Sequence, residues 1–128
     1  MGNRAVITTK EKKIGVYLHW NGGRDSVEGF LAYCKKAEYR PPETDGYGWS
    51  RLCQVIGNYF GGTLSVGLDR FEVLEESADY DNGVYIIENW QIIGRERFKG
   101  AEQMEYPLDQ MLKEIDEKQP AKEQAANG

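Results

Sequence analysis

The chain has a single histidine, His19, and two cysteines, Cys34 and Cys53. One histidine excludes any mechanism that needs two. Two cysteines without Cys-x-x-Cys spacing or a Cys/His cluster give no zinc site. Each falls on the apolar face of an expected helix, so both read as packed, reduced thiols, with a disulfide between the two helices as the alternative. No apolar run approaches the ~20 residues that cross a bilayer. The opening MGNRAVITTK lacks the apolar middle of a signal peptide. It begins Met-Gly, but Val6 stands where a myristoylation signal has Ser or Thr. The expectation is a cytoplasmic protein with no membrane contact.

Catalytic signatures are missing as well. There is no phosphate loop, dinucleotide fingerprint, nucleophile elbow or complete EF-hand. The acidic stretch Glu75–Asp81 contains Asp79 and Asp81, which a metal-dependent hydrolase would use as a pair; a solvated acidic loop is the simpler reading. These absences favour a binding protein over an enzyme, with no catalytic residues, no metal and no cofactor. Net charge is −5, and its distribution is uneven. Residues 1–70 carry ten Lys and Arg against seven Asp and Glu, whereas residues 71–128 carry six against fourteen. An acidic chain suits long nucleic acid poorly, because such binding depends on neutralising many phosphates. A small anionic ligand needs only one or two arginines.

What is present fits one domain over residues 1–118, with a C-terminal helix at about 107–117 and a disordered tail at 119–128 that carries no core residues. Arg4–Thr9 and a strand from Ile14 form a hairpin. Val27, Phe30, Leu31 and Cys34 have the spacing of a buried helix face, and Asp25 with Glu28 has the form of an acidic capping box. After Arg40-Pro41-Pro42 a second helix spans Gly48–Phe60, with a stripe of Trp49, Leu52, Cys53, Ile56 and Phe60, and Gly61-Gly62 stops it. A strand follows in Thr63–Leu68. The apolar parity then flips to Phe71 and Val73, which implies a bulge near Asp69-Arg70 or a separate strand. Val84–Glu88 and Trp90–Phe98 read as two strands around a tight turn, or one long bent strand. Pro107 occupies the first position of a helix whose stripe is Leu108, Met111, Leu112 and Ile115. The fold class is α+β: a mostly antiparallel sheet of about five strands, two inserted helices and one C-terminal helix.

The chain is organised around IGVYLHWNGGRDSVEGFLAYC, strand to glycine loop to helix. Gly22 and Gly23 permit close backbone approach, and a helix N-terminus with Arg24 beside it suits an anion. A tight turn that merely uses the glycines is the alternative. His19 shares with Tyr17 a strand face that sits under this loop, Trp20, Asn21 and Arg24 lie at its mouth, and Asn89, Trp90, Arg95 and Arg97 supply the same chemistry again. Aromatic rings stack on bases at about 1–3 kcal/mol each, and arginines hold phosphates bidentately. Core packing is the competing role for Trp20 and Trp90. Arg51 and Asn58, off the buried stripe of the second helix, are candidates for a second site.

Over residues 3–98, the segments NRAVITTKEKKIGVYLHWNGGRDSVEGFLAYC and RPPETDGYGWSRLCQVIGNYFGGTLSVG resemble the phage Thoeris anti-defence sponge proteins. The resemblance implies sequestration, without degradation, of cyclic ADP-ribose isomers made by bacterial TIR-domain enzymes. It further implies ligand pockets at subunit interfaces of a homo-oligomer (a dimer or hexamer), action in the infected host's cytoplasm, and in some members a second site for cyclic oligonucleotides. In that frame Trp20 or Trp90 stacks the base, Arg24 and the glycine amides meet the pyrophosphate, and Asn21 or Asn89 reads ribose. A nucleotide-processing hydrolase built on the acidic loop and a protein-interaction module acting through the terminal helix are the alternatives.

Overall fold

The architecture is that of a computed structural model, which describes residues 3–62, 64–79 and 81–121. Its elements are β1 (Ala5–Thr9), β2 (Ile14–Leu18), α1 (Arg24–Lys36), α2 (Gly46–Phe60), β3 (Val66–Arg70), α3 (Phe71–Leu74) with a 3-10 turn (Glu75–Asp79), β4 (Val84–Glu88), β5 (Gln91–Glu96) and α4 (Leu108–Lys118). The five strands form one sheet in the order β3-β2-β1-β4-β5. All neighbouring pairs are antiparallel except β1 with β4. That parallel pair follows from the two helices and third strand inserted between them, since parallel neighbours need a long crossover. The α+β architecture matches the expectation.

β1 is covered on both sides. Ala5 and Ile7, with Val16, Leu18, Tyr85 and Ile87, pack against Phe30, Leu31, Leu52, Ile56, Met111 and Ile115 from α1, α2 and α4. On the other side Val6, Val84 and Ile86 pack with Phe71 and Leu74 of α3. Helix α3 also resolves the parity flip. Phe71 leaves the sheet by entering a helical turn, so neither a bulge at Asp69-Arg70 nor a further strand forms. Strand β3 begins later than expected, at Val66; the expected start, Thr63, lies outside the described residues.

Several helix ends are corrected. Helix α1 starts at Arg24 with Gly23 as its N-cap and no side-chain cap, so the Asp25–Glu28 box does not form. Helix α2 begins at Gly46, capped by Asp45 Oδ1 accepting from the Tyr47 amide at 3.0 Å, and ends on Gly61 at φ 74°, the left-handed region that glycine tolerates. Its buried face includes Val55, whereas Cys53 and Phe60 are only partly covered. Both cysteines are free thiols; burial pushes the Cys34 pKa up, and that of Cys53 to about 11. Pro107 is the N-cap of α4 rather than its first residue. Helix α4 docks on α1 and α2, and Gly29 makes room for Met111, whose Cγ lies 2.4 Å from where a Cβ would stand. Gln119, expected in a coreless tail, is buried. Its Nε2 donates to Val55 O at 3.1 Å, and its Oε1 accepts from Asn58 Nδ2 at 2.9 Å. Residues 122–128 of that tail lie outside the described residues.

β4 and β5 are two strands, joined by a two-residue turn. Asn89 (φ 51°) and Trp90 (φ 62°) are both left-handed, the type I′ pattern that follows strand twist. Ile86 pairs with Gly94 and Ile87 with Ile92, so Ile93 is a bulge residue. Alternation alone would put Ile92 and Arg95 on opposite faces. The bulge puts both on the face that carries Tyr85 and Ile87, the helix-covered side.

Left-handed backbone costs a bulky L-residue about 1–2 kcal/mol. Trp90 sustains it because its side chain is 3% exposed and its Nε1 donates to Tyr39 O at 2.8 Å. Losing a buried Trp costs about 3–5 kcal/mol. Packing therefore outweighs backbone relief, and Trp90→Gly, although it installs the ideal turn residue, is expected to lower stability by about 2 kcal/mol or more. Urea denaturation of the two proteins checks the sign.

Candidate functional site

The glycine loop is built for the chain's own contacts. The Gly22 amide donates to Asn3 O at 2.8 Å, and Gly22 O accepts from the buried Tyr85 hydroxyl at 2.6 Å. A Cβ on Gly22 would stand 2.5 Å from Asn3 O, and one on Gly23 would stand 2.9 Å from Gln103 Cβ. These glycines serve close approach of β1 and of the segment 99–106, which crosses the start of α1. Of the loop residues, it is Asn21 that adopts a left-handed φ, 56°.

The first turn of α1 is also filled. The Asp25 amide donates to Gln103 O at 3.1 Å. The Asp25 carboxylate, 3% exposed, accepts from the amides of Ser26 (2.7 Å), Glu105 (2.8 Å) and Tyr106 (3.0 Å). The Gly22 and Asp25 amides are thus spent within the chain, Gly23 packs against Gln103, and a carboxylate occupies the favourable end of the helix dipole.

Arg24 points elsewhere. Together with Glu28, Leu31, Ala32 and Lys35 it forms one stripe of α1, facing Trp90, Gln91 and Ile92 of the β4–β5 hairpin and Leu108 of α4 across a cleft of about 350 Å³. A volume of this order falls within the range of small-molecule sites. Of the expected site residues, Arg24 and Trp90 line this cleft. Trp90 presents only what its burial leaves, so it serves as a wall and not as a free stacking platform.

The other expected residues are distributed over the molecule. His19 Nδ1 lies 2.9 Å from the Tyr17 hydroxyl, and Trp20, 43% exposed, meets the His19 ring edge-on at 4.9 Å. Asn21 Nδ2 donates to Ser26 Oγ at 3.1 Å. The Asn89 amide donates to Glu43 at 2.7 Å. Arg97 holds Glu75 through its carbonyl (2.6 Å) and carboxylate (2.9 Å). The two second-site candidates are apart in role: Asn58 is bonded to Gln119, while the Arg51 guanidinium sits 4.9 Å from the Tyr47 ring centre. In the acidic segment, Asp81 bridges Arg4 at 3.0 Å and Asp79 lies 3.5 Å from Arg97.

Arg95 is held most firmly. Its guanidinium lies between the Tyr85 and Phe98 rings, 4.0 and 3.9 Å from their centres, and Nη2 donates to Asn82 O at 2.7 Å. Its Nη1 donates to both oxygens of Glu102, and Arg24 Nη1 reaches the same carboxylate at 3.0 Å. Glu102 thus joins the cleft arginine to the sandwiched one. Partial burial alone would raise the Glu102 pKa, but the hydrogen bonds and charges of Arg95 and Arg24 outweigh it and hold the carboxyl below its ordinary value. The hydrogen bonds from Arg24 to Glu28 and Glu102 raise the Arg24 pKa in turn.

Sequence reasoning missed Glu28, Lys35 and Glu102. The first two were detectable, because 24, 28, 31, 32 and 35 share one helical face. Glu102 carries no local signal; it lies 78 residues from Arg24. Among the described residues no group of three or more His, Cys, Asp or Glu is arranged to hold a metal ion, and no helix is long and apolar enough to cross a membrane. Searches of protein-family models, curated proteins and solved structures find no match to the chain.

A carboxylate with a lowered folded pKa stabilises the fold above its unfolded pKa, and that stability is lost as pH falls through the folded value. Asp81 acts in the same direction: burial opposes ionisation, but hydrogen bonds and charge from Arg4 win. The urea midpoint is therefore expected to fall between about pH 6 and pH 3. Glu102→Gln should show a shallower fall over the same range.

Proposed function

We propose that this chain is a cytoplasmic sponge: it binds a small nucleotide of the cyclic ADP-ribose class and withholds it, unaltered, from a TIR-based bacterial defence. The family resemblance supplies the ligand class. The observation that supports it in the fold is the cleft between α1 and the β4–β5 hairpin, about 350 Å³, with Arg24 and Lys35 on one wall and Leu31 and Ile92 providing apolar surface. Arginine meets a pyrophosphate as a fork of donors, lysine as a point charge, and the apolar surface receives a base or ribose face.

The resemblance implies a homo-oligomer in which a second copy completes the pocket. Its walls are a helix and a tight hairpin. A preformed site loses little entropy on binding, and affinity differences between related complexes lie mostly in the release rate. Slow release is what a sponge requires.

Protein in slight molar excess over a cyclic ADP-ribose isomer, freed of unbound ligand by filtration and then heated, is expected to release unchanged ligand detectable by mass spectrometry. A cleaved product would establish a hydrolase instead, and absence of capture would leave a protein-interaction module. Arg24→Ala is expected to weaken capture by about tenfold to a hundredfold, the worth of a charge-assisted hydrogen bond. Unchanged affinity would remove Arg24 from the site.

A further inference from the structure

Glu102 stands where a ligand anion would. Two guanidiniums from different elements, Arg24 on α1 and Arg95 on β5, converge on its carboxylate. One Nη1 from each guanidinium converges there, while Arg24 Nε is spent on Glu28 and Arg95 Nη2 on Asn82 O; two such charged donors suit a carboxylate or a phosphate oxygen. Arg95 is fixed independently of Glu102, by Tyr85, Phe98 and Asn82 O. Its side chain is 12% exposed, and its Nε is buried without a hydrogen-bond partner. This is a large local cost for a surface ion pair, which is ordinarily worth at most about 1 kcal/mol.

The carboxylate is carried by a segment built differently on its two sides. From Gln103 onward the backbone is pinned, with Gln103 O accepting from Asp25 N and the amides of Glu105 and Tyr106 donating to Asp25. Before it lies Gly100 at φ 108°, with open space where a Cβ would stand. The backbone before Glu102 therefore has its permissive point at Gly100, outside the pinned run that begins at Gln103.

We propose that Arg24 and Arg95 form an oxyanion site of the phosphate class, that the Glu102 carboxylate is its internal occupant, and that a phosphate or pyrophosphate group entering from the adjoining cleft displaces it. This rests on the preceding reading for the identity of the full ligand, and on the two arginines alone for its chemistry. Displacement exchanges a singly charged carboxylate for a more highly charged phosphate group on the same donors. Glu28 remains on Arg24 and keeps its side chain aimed. Glu102 then acts as a latch: it keeps the two arginines paired when no ligand is bound and rejects weaker anions.

A latch lowers apparent affinity by the fraction of molecules in which the site is open. If Glu102 occupies the site in about nine molecules of ten, Glu102→Gln is expected to tighten inorganic pyrophosphate binding about tenfold by calorimetry at low salt. Adding Arg24→Ala should abolish that gain. Unchanged or weaker binding by a folded Glu102→Gln protein would overturn the proposal. Wild-type protein gives a second test that does not depend on the variant folding. The side-chain nitrogen signals of Arg24 and Arg95 and the Glu102 carboxyl carbon should shift together, saturably, on pyrophosphate addition; no shift overturns the site. Capture of cyclic ADP-ribose with an indifferent Glu102→Gln would remove the latch and leave the sponge standing. A pyrophosphate gain without nucleotide capture would do the reverse.

Discussion

The arrangement depends on one buried carboxylate. Asp25 lies in the first turn of α1 and accepts three backbone hydrogen bonds, one from its own helix and two from residues 105 and 106. A carboxylate in so closed a place is expensive unless its lone pairs are taken by donors. Here the donors come from both the helix start and the strap, so the strap must lie across α1 for the helix to begin where it does. That places Gln103 over Gly23 and feeds the chain through Pro107 into α4, which closes the core over Gly29. The same run positions Glu102 between its two arginines.

Much of this frame was legible in the sequence. The alternation of β2, the apolar stripes of α1, α2 and α4 and the α+β class followed from residue periodicity and β1 from its β-branched residues, whereas the turn expected at Glu88-Asn89 falls one residue later, at Asn89-Trp90. Cap chemistry was less so. Asp25 was read as a box with Glu28 because both lie within three residues, yet two of its three partner amides lie 80 and 81 positions away, and nothing local announces them. The bulge at Ile93 was equally hidden: Ile92-Ile93 reads as continuous apolar strand, and only pairing with β4 reveals that one residue is left over. Gln119 was read as tail because polar residues rarely enter cores, and it enters this one by spending its amide on Val55 O, Ile115 O and Asn58. At the site, periodicity could have found the cleft-facing stripe of α1, whereas the Glu102 bridge is a tertiary fact.

The division of charge along the chain becomes intelligible once folded. Cations of the first half meet anions of the second: Arg4 with Asp81, Lys10 with Glu88, Lys12 with Glu96, Arg24 with Glu102. Exposed pairs of this kind contribute about 0–1 kcal/mol each, so their sum does not explain the fold. They lie instead along the contacts that a chain with a parallel β1–β4 pair must make at long range, where a mispaired register would set like charges together. An excess of acid beyond these pairs leaves the chain at a net charge of −5.

Against that background the cleft wall is unusual. Lys35 extends along the helical face begun by Arg24, with Glu28 between them and paired to Arg24, so the lining keeps one positive charge in excess in a protein that is acidic overall. Under the proposal, a chloride or acetate ion, singly charged, gains no more from the two donors than the tethered carboxylate they already hold. A pyrophosphate, with more charge and more acceptors to offer the same donors, is the class of ligand proposed to displace it. Selectivity of this kind arises from competition with an internal anion and not from shape, and it costs affinity to obtain it. Under the proposed function, a sponge that must ignore abundant small anions while holding one scarce nucleotide has reason to accept that cost.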